Sequence, residues 1–305
     1  MSPIRRSLLF VPASAEARVQ KASSLNADAV VLDLEDGVAA SAKESARRFL
    51  VERLPDLEFG DTERIVRVNR VGSADHFKDI AALPYGSFEG LLIPKVESPA
   101  QVLEVAAVLD EREAKAGLKR GTIRLLLTLE TPRGMLNALA IADASDRCSA
   151  LFFGAGDYSV ATGCSLTPQA LAWPRATIVA AAAAAGCEAI DTPYFDVRDA
   201  DGTYNDALLS RDHGFGGKGV FHPLQIEPVH RALSPTAKQV EKAHRVLAAF
   251  SEMGARGEGI AIVDGELIAI DLLPQMERVI RRDAQAKRMR MRADLSIPST
   301  KETAP

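Results

Sequence analysis

Two carboxylates of this chain stand directly after short apolar runs. Glu130 follows residues 125–129 and precedes a Thr-Pro-Arg-Gly break, and Asp157 follows the run at 150–154. A continuous apolar run bounded by turn residues is typical of a strand buried on both faces. Neighbouring parallel strands would bring both acids to one end of a sheet, where two carboxylates suit Mg²⁺ or Mn²⁺. The alternative is that each acid caps a helix N-terminus.

A third candidate is Arg67, which alternates with valines in the apolar run 64–68. A buried guanidinium is costly unless an anion partners it, and its planar fork suits a carboxylate or an enolate oxygen. We therefore predict that Arg67 faces an anion at a functional site, where a substrate oxygen would fit. The alternative is a structural salt bridge inside the fold.

Three acids crowd the end of another apolar run, since Asp33, Glu35 and Asp36 lie within four residues. Crowded carboxylates raise one another's pKa unless a cation is present. Lys95 is a candidate to neutralise this cluster or a substrate phosphate. We assign Asp36 and Lys95 to substrate binding.

Two further motifs, a glycine-rich segment and a histidine, do not by themselves indicate a phosphate loop or a catalytic histidine. The glycine-rich segment 214–219 lacks P-loop spacing and precedes a strand, which predicts a tight turn at the end opposite the site. His222 follows the last apolar run, where a histidine is as often structural as catalytic. The sequence contains no HExxH motif and no GxSxG elbow, so nothing indicates a zinc protease or a serine hydrolase.

Eight short apolar runs alternate with stretches of helical period, which predicts a (β/α)₈ TIM barrel. The runs are 7–11, 29–34, 64–68, 90–93, 124–129, 150–154, 188–191 and 219–221. The helical candidates include 15–24, 43–54, 99–116, 134–143, 167–185 and 204–213. A doubly wound open sheet is the competing fold. The barrel is favoured because polar residues follow almost every run, as barrel active sites require.

The pattern changes after residue 223. A long helix is predicted over 236–258, a hairpin around an Asp-Gly turn over 260–268, and a last helix from about Leu272. We therefore divide the chain into a catalytic barrel over 1–233, a helix–hairpin–helix extension over 234–285 and a basic, flexible tail over 286–305.

Composition excludes several classes of protein. The 305 residues are 47% hydrophobic and 26% charged, with a formal net charge of −4, which is ordinary for a globular protein and unlike a nucleic-acid binder. No run approaches the roughly 18 apolar residues of a membrane span. Three scattered cysteines (Cys148, Cys164 and Cys187) suit a reducing cytoplasm. We expect a cytoplasmic protein with a small-molecule substrate and neither nucleic-acid nor membrane partners.

Eight motifs occur in a fixed order between about residues 5 and 280. They are Arg6-Ser7-Leu8-Leu9-Phe10-Val11-Pro12, Asp33-Leu34-Glu35-Asp36-Gly37-Val38, Arg67-Val68-Asn69, Pro94-Lys95-Val96-Glu97-Ser98, Glu130-Thr131-Pro132, Gly154-Ala155-Gly156-Asp157, Gly219-Val220-Phe221-His222-Pro223 and Ser234-Pro235-Thr236. This set strongly resembles the citrate lyase β-subunit-like family of the HpcH/HpaI aldolase superfamily. The resemblance implies a (β/α)₈ barrel, a homotrimer or hexamer, that makes or breaks carbon–carbon bonds in acyl-CoA thioesters.

The resemblance also implies roles for single residues. Glu130 and Asp157 would bind Mg²⁺, with Mn²⁺ as the alternative metal, and Arg67 with Glu130 would hold the carboxylate or carbonyl end of the substrate. Cleavage of a 3-hydroxyacyl-CoA thioester such as citryl-, malyl- or citramalyl-CoA would give a keto acid and an enolate, with the metal polarising the bond that breaks.

Two positions depart from the family pattern. Ala15 stands where many relatives carry an arginine, which puts binding of the coenzyme A phosphates in question, with Arg18 as a substitute. Relatives also place an acid–base aspartate in the C-terminal segment, where it acts on a neighbouring subunit's site. Ala269 occupies that position here, so either Asp271 takes over the catalytic role or the step is missing.

Three hypotheses follow. The first is a Mg²⁺-dependent carbon–carbon lyase acting on the CoA thioester of a hydroxy di- or tricarboxylic acid. The second is a metal-dependent aldolase that handles free keto or hydroxy acids without CoA, which Ala15 favours. The third is a non-catalytic subunit of a larger complex, and the joint presence of Arg67, Glu130 and Asp157 argues against it.

Overall fold

The computed structural model describes residues 4–254 and 260–296. Eight parallel strands close into a barrel in sequence order, and β8 pairs with β1 so that Val220 lies opposite Leu9. The strands are β1 Ser7–Pro12, β2 Ala29–Asp33, β3 Glu63–Arg67, β4 Gly90–Ile93, β5 Arg124–Leu129, β6 Cys148–Phe153, β7 Glu188–Asp191 and β8 Gly217–Val220. The predicted (β/α)₈ barrel is confirmed, and the closing pair excludes the open sheet because it leaves no edge.

Ten helices accompany the barrel strands within the described residues. They are α1 Glu16–Ala22, α2 Lys43–Arg53, α3 Ala74–Ala82, α4 Pro99–Lys115, α5 Pro132–Leu136, α6 Ala138–Ala142, α7 Ala155–Thr162, α8 Ala172–Ala184, α9 Ala200–His213 and α10 Ile226–Leu233. In the part of the chain that the structure describes, no helix is both long enough and apolar enough to cross a bilayer.

The barrel separates two hydrophobic cores. The inner core contains strand residues alone: Leu8, Phe10, Ala29, Val31, Ile65, Leu92, Leu126, Ala150, Phe152 and Ile190. The intervening strand residues pack against the helices in the outer core. Because side chains of a strand alternate between faces, Asp33, Arg67 and Thr128 point into the barrel mouth, each two residues beyond an inner-core residue.

Two features of the helices differ from the predictions. The single helix predicted over 134–143 is divided into α5 and α6 at Asn137, whose side-chain amide donates to the carbonyl of Glu97 at 2.8 Å. Helix α7 was not predicted. It begins directly after β6 and carries Asp157 in its first turn. The N–H of Ala155, the first residue of α7, donates to Thr192 Oγ1 after β7 at 3.4 Å. Contacts of this kind with neighbouring strand ends are not revealed by helical periodicity.

The chain divides into two compact units, the first ending at Leu233 and the second beginning at Ser234. The second unit contains α11 Ala237–Gly254, the antiparallel strands β9 Ile260–Val263 and β10 Glu266–Ala269, and α12 Leu273–Ser296. The predicted hairpin is present, and the positive φ angles of Asp264 (54°) and Gly265 (81°) suit its two-residue turn.

The boundaries of the second unit differ in part from the predicted ones. Helix α12 continues to Ser296, so it includes the first part of the segment 286–305 that we assigned to a flexible tail. The remainder of that segment, 297–305, and the end of the predicted long helix, 255–258, lie outside the described residues.

Candidate active site

The candidate residues of the barrel gather at the carboxyl ends of β2 to β6. The set consists of Asp33, Glu35 and Asp36 after β2, Arg67 at the end of β3, Lys95 after β4, Glu130 after β5 and Asp157 after β6. Parallel strands place their carboxyl ends on one face of the barrel, and this is the face on which TIM barrels build active sites.

Arg67 is held by the β2 loop. Its Nε and Nη2 donate to the two carboxylate oxygens of Asp33 at 2.7 and 2.6 Å, and Nη1 lies 3.1 Å from Glu35 Oε2. Burial acts to lower the pKa of Arg67, but hydrogen bonds to Asp33 and the charges of Asp33 and Glu35 raise it overall. The salt bridge that we considered as the alternative is therefore present. The hydrogen bonds to Asp33 use Nε and Nη2, so a substrate oxygen that binds Arg67 would approach Nη1 and share it with Glu35 Oε2.

Lys95, which follows β4, contacts acids from the ends of three other strands, β2, β5 and β6. Its backbone N–H donates to Glu130 Oε1 at 2.8 Å, and its ammonium lies 2.8 Å from Glu35 Oε1, 3.0 Å from Asp36 Oδ2 and 3.3 Å from Asp157 Oδ2. Burial acts to lower its pKa, but the bonds to Glu35 and Asp36 raise it overall. The φ angle of Lys95 is +52°, a strained conformation for a side-chain-bearing residue that such contacts can maintain.

Glu130 is the most perturbed carboxylate of the site. It is 5% exposed, and burial together with the charges of Glu35 and Asp157 raises its pKa to about 8, against the opposing N–H of Lys95. A Cβ on Gly154 would overlap Glu130 Oε2, so the chain needs glycine there. Glu130 does not cap α5, because Thr131 is the N-cap and accepts the N–H of Gly134 at 3.1 Å.

The sequence allowed two roles for Asp157, at a helix N-terminus or in a cluster of metal ligands, and its position in the structure is compatible with both. It lies in the first turn of α7, where the helix dipole favours an anion, and it also contacts Lys95 in the cluster. Its carboxylate is 42% exposed, unlike the buried Glu130. Lys95 contacts both acids, Glu130 through its backbone N–H and Asp157 through its ammonium, and the charge of Asp157 contributes to the raised pKa of Glu130.

The cluster holds more acid than base. Five carboxylates (Asp33, Glu35, Asp36, Glu130 and Asp157) face two cations (Arg67 and Lys95). Glu35 Oε2 is buried without a hydrogen-bond partner, and burial raises the pKa of Glu35 in spite of Arg67 and Lys95. Carboxylates in surplus fit a divalent cation. No group of three or more His, Cys, Asp or Glu ligands occurs among the described residues, so such a cation would complete its shell with water and substrate, as Mg²⁺ commonly does.

Two residues that the sequence reading did not single out complete the site. Lys43 donates to the carbonyls of Leu34 and Glu35 at 2.8 and 3.0 Å and to Asn69 Oδ1 at 2.6 Å, which fixes the β2 loop. The sequence could have indicated Lys43, because it is the first residue of a helix, where a cation is unfavourable unless another group binds it. Thr128 points into the mouth with a buried hydroxyl that lacks a partner; a threonine in an apolar strand gave no signal.

Two other predicted positions have structural roles, and a third, Asp271, belongs to the second unit. His222 Nδ1 accepts the N–H of Leu224 at 3.2 Å and caps a short 3₁₀ helix, a structural role. Gly214 ends α9 with a φ of 104° before β8, which confirms the turn predicted in the glycine-rich segment. Asp271 is exposed in the second unit, and its catalytic role stays a prediction.

Comparison with known proteins agrees with this geometry. The family model HpcH/HpaI aldolase/citrate lyase matches residues 6–223. The citrate lyase subunit beta of Leuconostoc mesenteroides subsp. cremoris is 32% identical over 280 residues, covering 91% of this chain and 93% of that protein. The human mitochondrial citramalyl-CoA lyase is 34% identical over 288 residues, covering 90% and 84%.

A solved structure extends the similarity to three dimensions. The protein CitE from Mycobacterium tuberculosis, in complex with magnesium, acetoacetate and coenzyme A, superposes with a TM-score of 0.73 at 31% identity, covering 92% of this chain and 98% of that chain. The match therefore includes the barrel and most of the second unit. The chain belongs to the HpcH/HpaI aldolase/citrate lyase family and is an enzyme of the lyase class.

Proposed function

We propose that the protein is a Mg²⁺-dependent carbon–carbon lyase that cleaves or forms a 3-hydroxyacyl-CoA thioester of a hydroxy di- or tricarboxylic acid. The observation that carries this proposal is the acidic surplus around buried Glu130, whose pKa is raised to about 8 by burial and by Glu35 and Asp157. The relatives support the substrate class, since one is named for citramalyl-CoA and a solved neighbour holds magnesium and coenzyme A.

Glu130 and Asp157 are the residues that would hold the cation, Mg²⁺ or Mn²⁺. Both contact Lys95, and the cations of the protein are too few to neutralise all the carboxylates of the cluster. When bound, the metal supplies Lewis-acid polarisation of a substrate oxygen. Lys95 keeps Glu130 in place through its backbone N–H, and its ammonium offsets the charges of Glu35 and Asp36. Asp36, which is largely exposed, would meet the polar part of the substrate together with Lys95.

Arg67 would stabilise negative charge as the carbon–carbon bond breaks. Its orientation is set by the two hydrogen bonds to Asp33, so no reorganisation is required when charge develops on a substrate oxygen near Nη1. Asp271 would serve as the acid–base residue at a neighbouring subunit's site. This assignment, like the homotrimer or hexamer that it requires, rests on the family resemblance. A cytoplasmic location is proposed with it, because the three cysteines are unpaired.

An aldolase acting on free keto or hydroxy acids is the second candidate. The observation that favours it is Ala15, which stands before α1 and offers no side-chain hydrogen bond. A phosphate-binding arginine is therefore lacking at that position, although Arg18 lies one turn further along the same helix.

A substrate screen tests the proposal. Citryl-, malyl- and citramalyl-CoA and the corresponding free acids are incubated with the protein in Mg²⁺, Mn²⁺ or EDTA, and products are identified by mass spectrometry. We expect metal-dependent turnover of a thioester and no turnover in EDTA. Turnover of free acids alone would establish the aldolase instead, and metal-independent turnover would reject the role of Glu130 and Asp157.

A pair of variants tests the metal ligands. Glu130→Gln keeps the shape of the side chain but removes its charge, so we expect Mg²⁺ binding and turnover to be lost by at least about a hundredfold while the melting temperature is kept. Glu111→Gln, on the exposed face of α4, is the matched control and should behave as the unmodified protein. Full activity of Glu130→Gln would remove Glu130 from the mechanism.

A further inference from the structure

The mouth of the barrel has two chemically different halves. The charged residues come from the ends of β2 to β6. Strands β1, β7 and β8 and the loops that follow them instead carry three phenylalanines, Phe10, Phe195 and Phe221, which we name the aromatic wall. Phe10 lies within β1, Phe195 follows β7, and Phe221 follows β8 directly. Strand order in the barrel therefore places the aromatic wall opposite the acids.

The rings of the aromatic wall form one continuous surface. The ring centroids of Phe10 and Phe221 are 5.8 Å apart, and those of Phe221 and Phe195 are 6.3 Å apart, within the range of favourable aromatic pairs. Phe10 is buried, whereas Phe195 and Phe221 are 47% and 45% exposed. Apolar surface left open beside converging polar groups is characteristic of a ligand site.

The aromatic wall borders the charged half at both of its ends. Arg67 Cζ lies 5.1 Å from the centroid of the Phe10 ring. At the other end, a Cβ placed on Gly156 would stand 3.6 Å from Phe195 Cζ, and Gly156 immediately precedes Asp157. The aromatic wall is therefore next to Arg67 at one end and next to the first turn of α7, which carries Asp157, at the other.

The chemistry of the aromatic wall discriminates between substituents. Phenylalanine rings offer neither hydrogen bonds nor positive charge, so an apolar group placed on them gains about fourfold in affinity for each methylene removed from water. A carboxylate in the same place loses hydration without compensation. Binding affinity should thus be higher for an alkyl substituent than for hydrogen or for carboxymethyl.

We propose that the aromatic wall is the subsite for the substituent on the carbonyl carbon of the keto acid, and that it selects an alkyl group over hydrogen or carboxymethyl. This inference rests on the proposed function, because it takes the keto acid to be held by Arg67 and the metal ligands. The substrate class is then a 3-hydroxyacyl thioester that yields a 2-oxo acid with an alkyl side chain, of which pyruvate is the smallest.

Calorimetric titrations of the full chain in saturating Mg²⁺ test the ranking. The ligands are glyoxylate, pyruvate, 2-oxobutyrate, 2-oxovalerate and oxaloacetate, and oxalate, which carries an oxygen in place of a carbon substituent, reports on the charged half alone. We expect the dissociation constant to fall about fourfold with each added methylene. Oxaloacetate, close in size to 2-oxovalerate, should bind at least about tenfold more weakly than it. Equal affinities, or tightest binding of oxaloacetate, would overturn the inference.

Two variants locate the effect. In Phe221→Ser and Phe195→Ser the dissociation constants of the keto acids should depend less on chain length, while oxalate binding stays unchanged. Leu136→Ser, which alters an exposed residue of α5, should show the same dependence on chain length as the unmodified protein. If the phenylalanine variants weaken oxalate as strongly as 2-oxovalerate, the aromatic wall acts on the charged half and the inference is wrong. Circular dichroism melting checks that the variants fold, and the ligand series on the unmodified protein stands without them.

The outcomes separate this inference from the function on which it rests. Oxalate binding without selectivity among the keto acids rejects the aromatic-wall subsite alone. Failure of the folded protein to bind Mg²⁺ or any of these ligands, oxalate included, rejects the proposed function and the subsite together.

Discussion

Gly154 shows how a residue without a side chain shapes the candidate site. A Cβ at this position would overlap Oε2 and Cβ of Glu130, while the φ of −94° would tolerate alanine. We therefore expect Gly154→Ala to displace Glu130, to cost about 1–3 kcal/mol of stability and to weaken Mg²⁺ binding about tenfold or more. Calorimetry and urea denaturation measure the two effects.

Gly156→Ala is the matched control for that substitution. An added Cβ there meets Phe195 at ordinary van der Waals distance, 3.6 Å, and alanine favours the helix α7. We expect Mg²⁺ affinity to stay unchanged. Equal losses in both variants would show that α7 as a whole, and not the approach to Glu130, determines metal binding.

The raised pKa of Glu130 makes metal binding depend on pH. Below about pH 8 the buried carboxyl of the metal-free protein holds a proton, which Mg²⁺ must displace. The apparent affinity should thus rise about tenfold per pH unit as pH increases toward 8 and level off above it. Calorimetry in buffers of different ionisation enthalpy should detect release of about one proton per Mg²⁺ below pH 8. An affinity independent of pH would contradict the buried, protonated state.

At the scale of the elements, a buried ion pair ties α4 to the start of β6. The Arg147 guanidinium is fully buried and donates to both oxygens of Glu113 at 2.9 and 2.6 Å, and Glu113 also accepts the N–H groups of Gly121 and Ile123. Burial acts to raise the pKa of Glu113, but these bonds lower it overall. The pair fixes the amino end of the strand whose carboxyl end leads to Asp157.

Breaking this pair should destabilise the barrel. Glu113→Ala leaves Arg147 buried with only the partly exposed Asp110 as an acidic partner, so we expect a loss of about 3–5 kcal/mol in the free energy of unfolding. Glu111→Ala, on the exposed face of the same helix, should change it by less than about 0.5 kcal/mol. Urea denaturation measures both, and a loss below about 1 kcal/mol for Glu113→Ala would mean that the pair contributes little.

At the scale of the whole molecule, the role of Asp271 depends on assembly. If Asp271 acts on a neighbouring subunit's site, Glu130→Gln and Asp271→Asn oligomers are each inactive. Subunits mixed and reassembled in equal amounts should recover activity at about a quarter of the sites, because one intact residue comes from each partner. Turnover before and after mixing, with light scattering to confirm a trimer or hexamer, measures this. Undiminished turnover of Asp271→Asn alone would show that Asp271 is not needed.

The elements and the site were not equally predictable. Eight apolar runs located all eight strands to within two residues at each end, because strands buried on both faces are apolar throughout. Helix α7 and the break at Asn137 were not predicted, since they depend on strand ends that are distant in sequence. Lys43 was missed as well, since its partners are two carbonyls of the preceding loop, those of Leu34 and Glu35, and the distant side chain of Asn69, none of which hydrophobic periodicity reveals.

The sequence alone determined the eight alternating strands and helices and which acids and cations follow those strands, because hydrophobic periodicity and residue type are local properties of the chain. It favoured a barrel over an open sheet, and the pairing of β8 with β1 decided between them. Only the tertiary structure decided how those residues pair. It assigned Asp33 to Arg67, placed Lys95 among Glu35, Asp36 and Asp157, and buried Glu130 against Gly154. Such pairings follow from the closure of the barrel, which brings Glu35 and Asp157, far apart in sequence, to the same ammonium of Lys95.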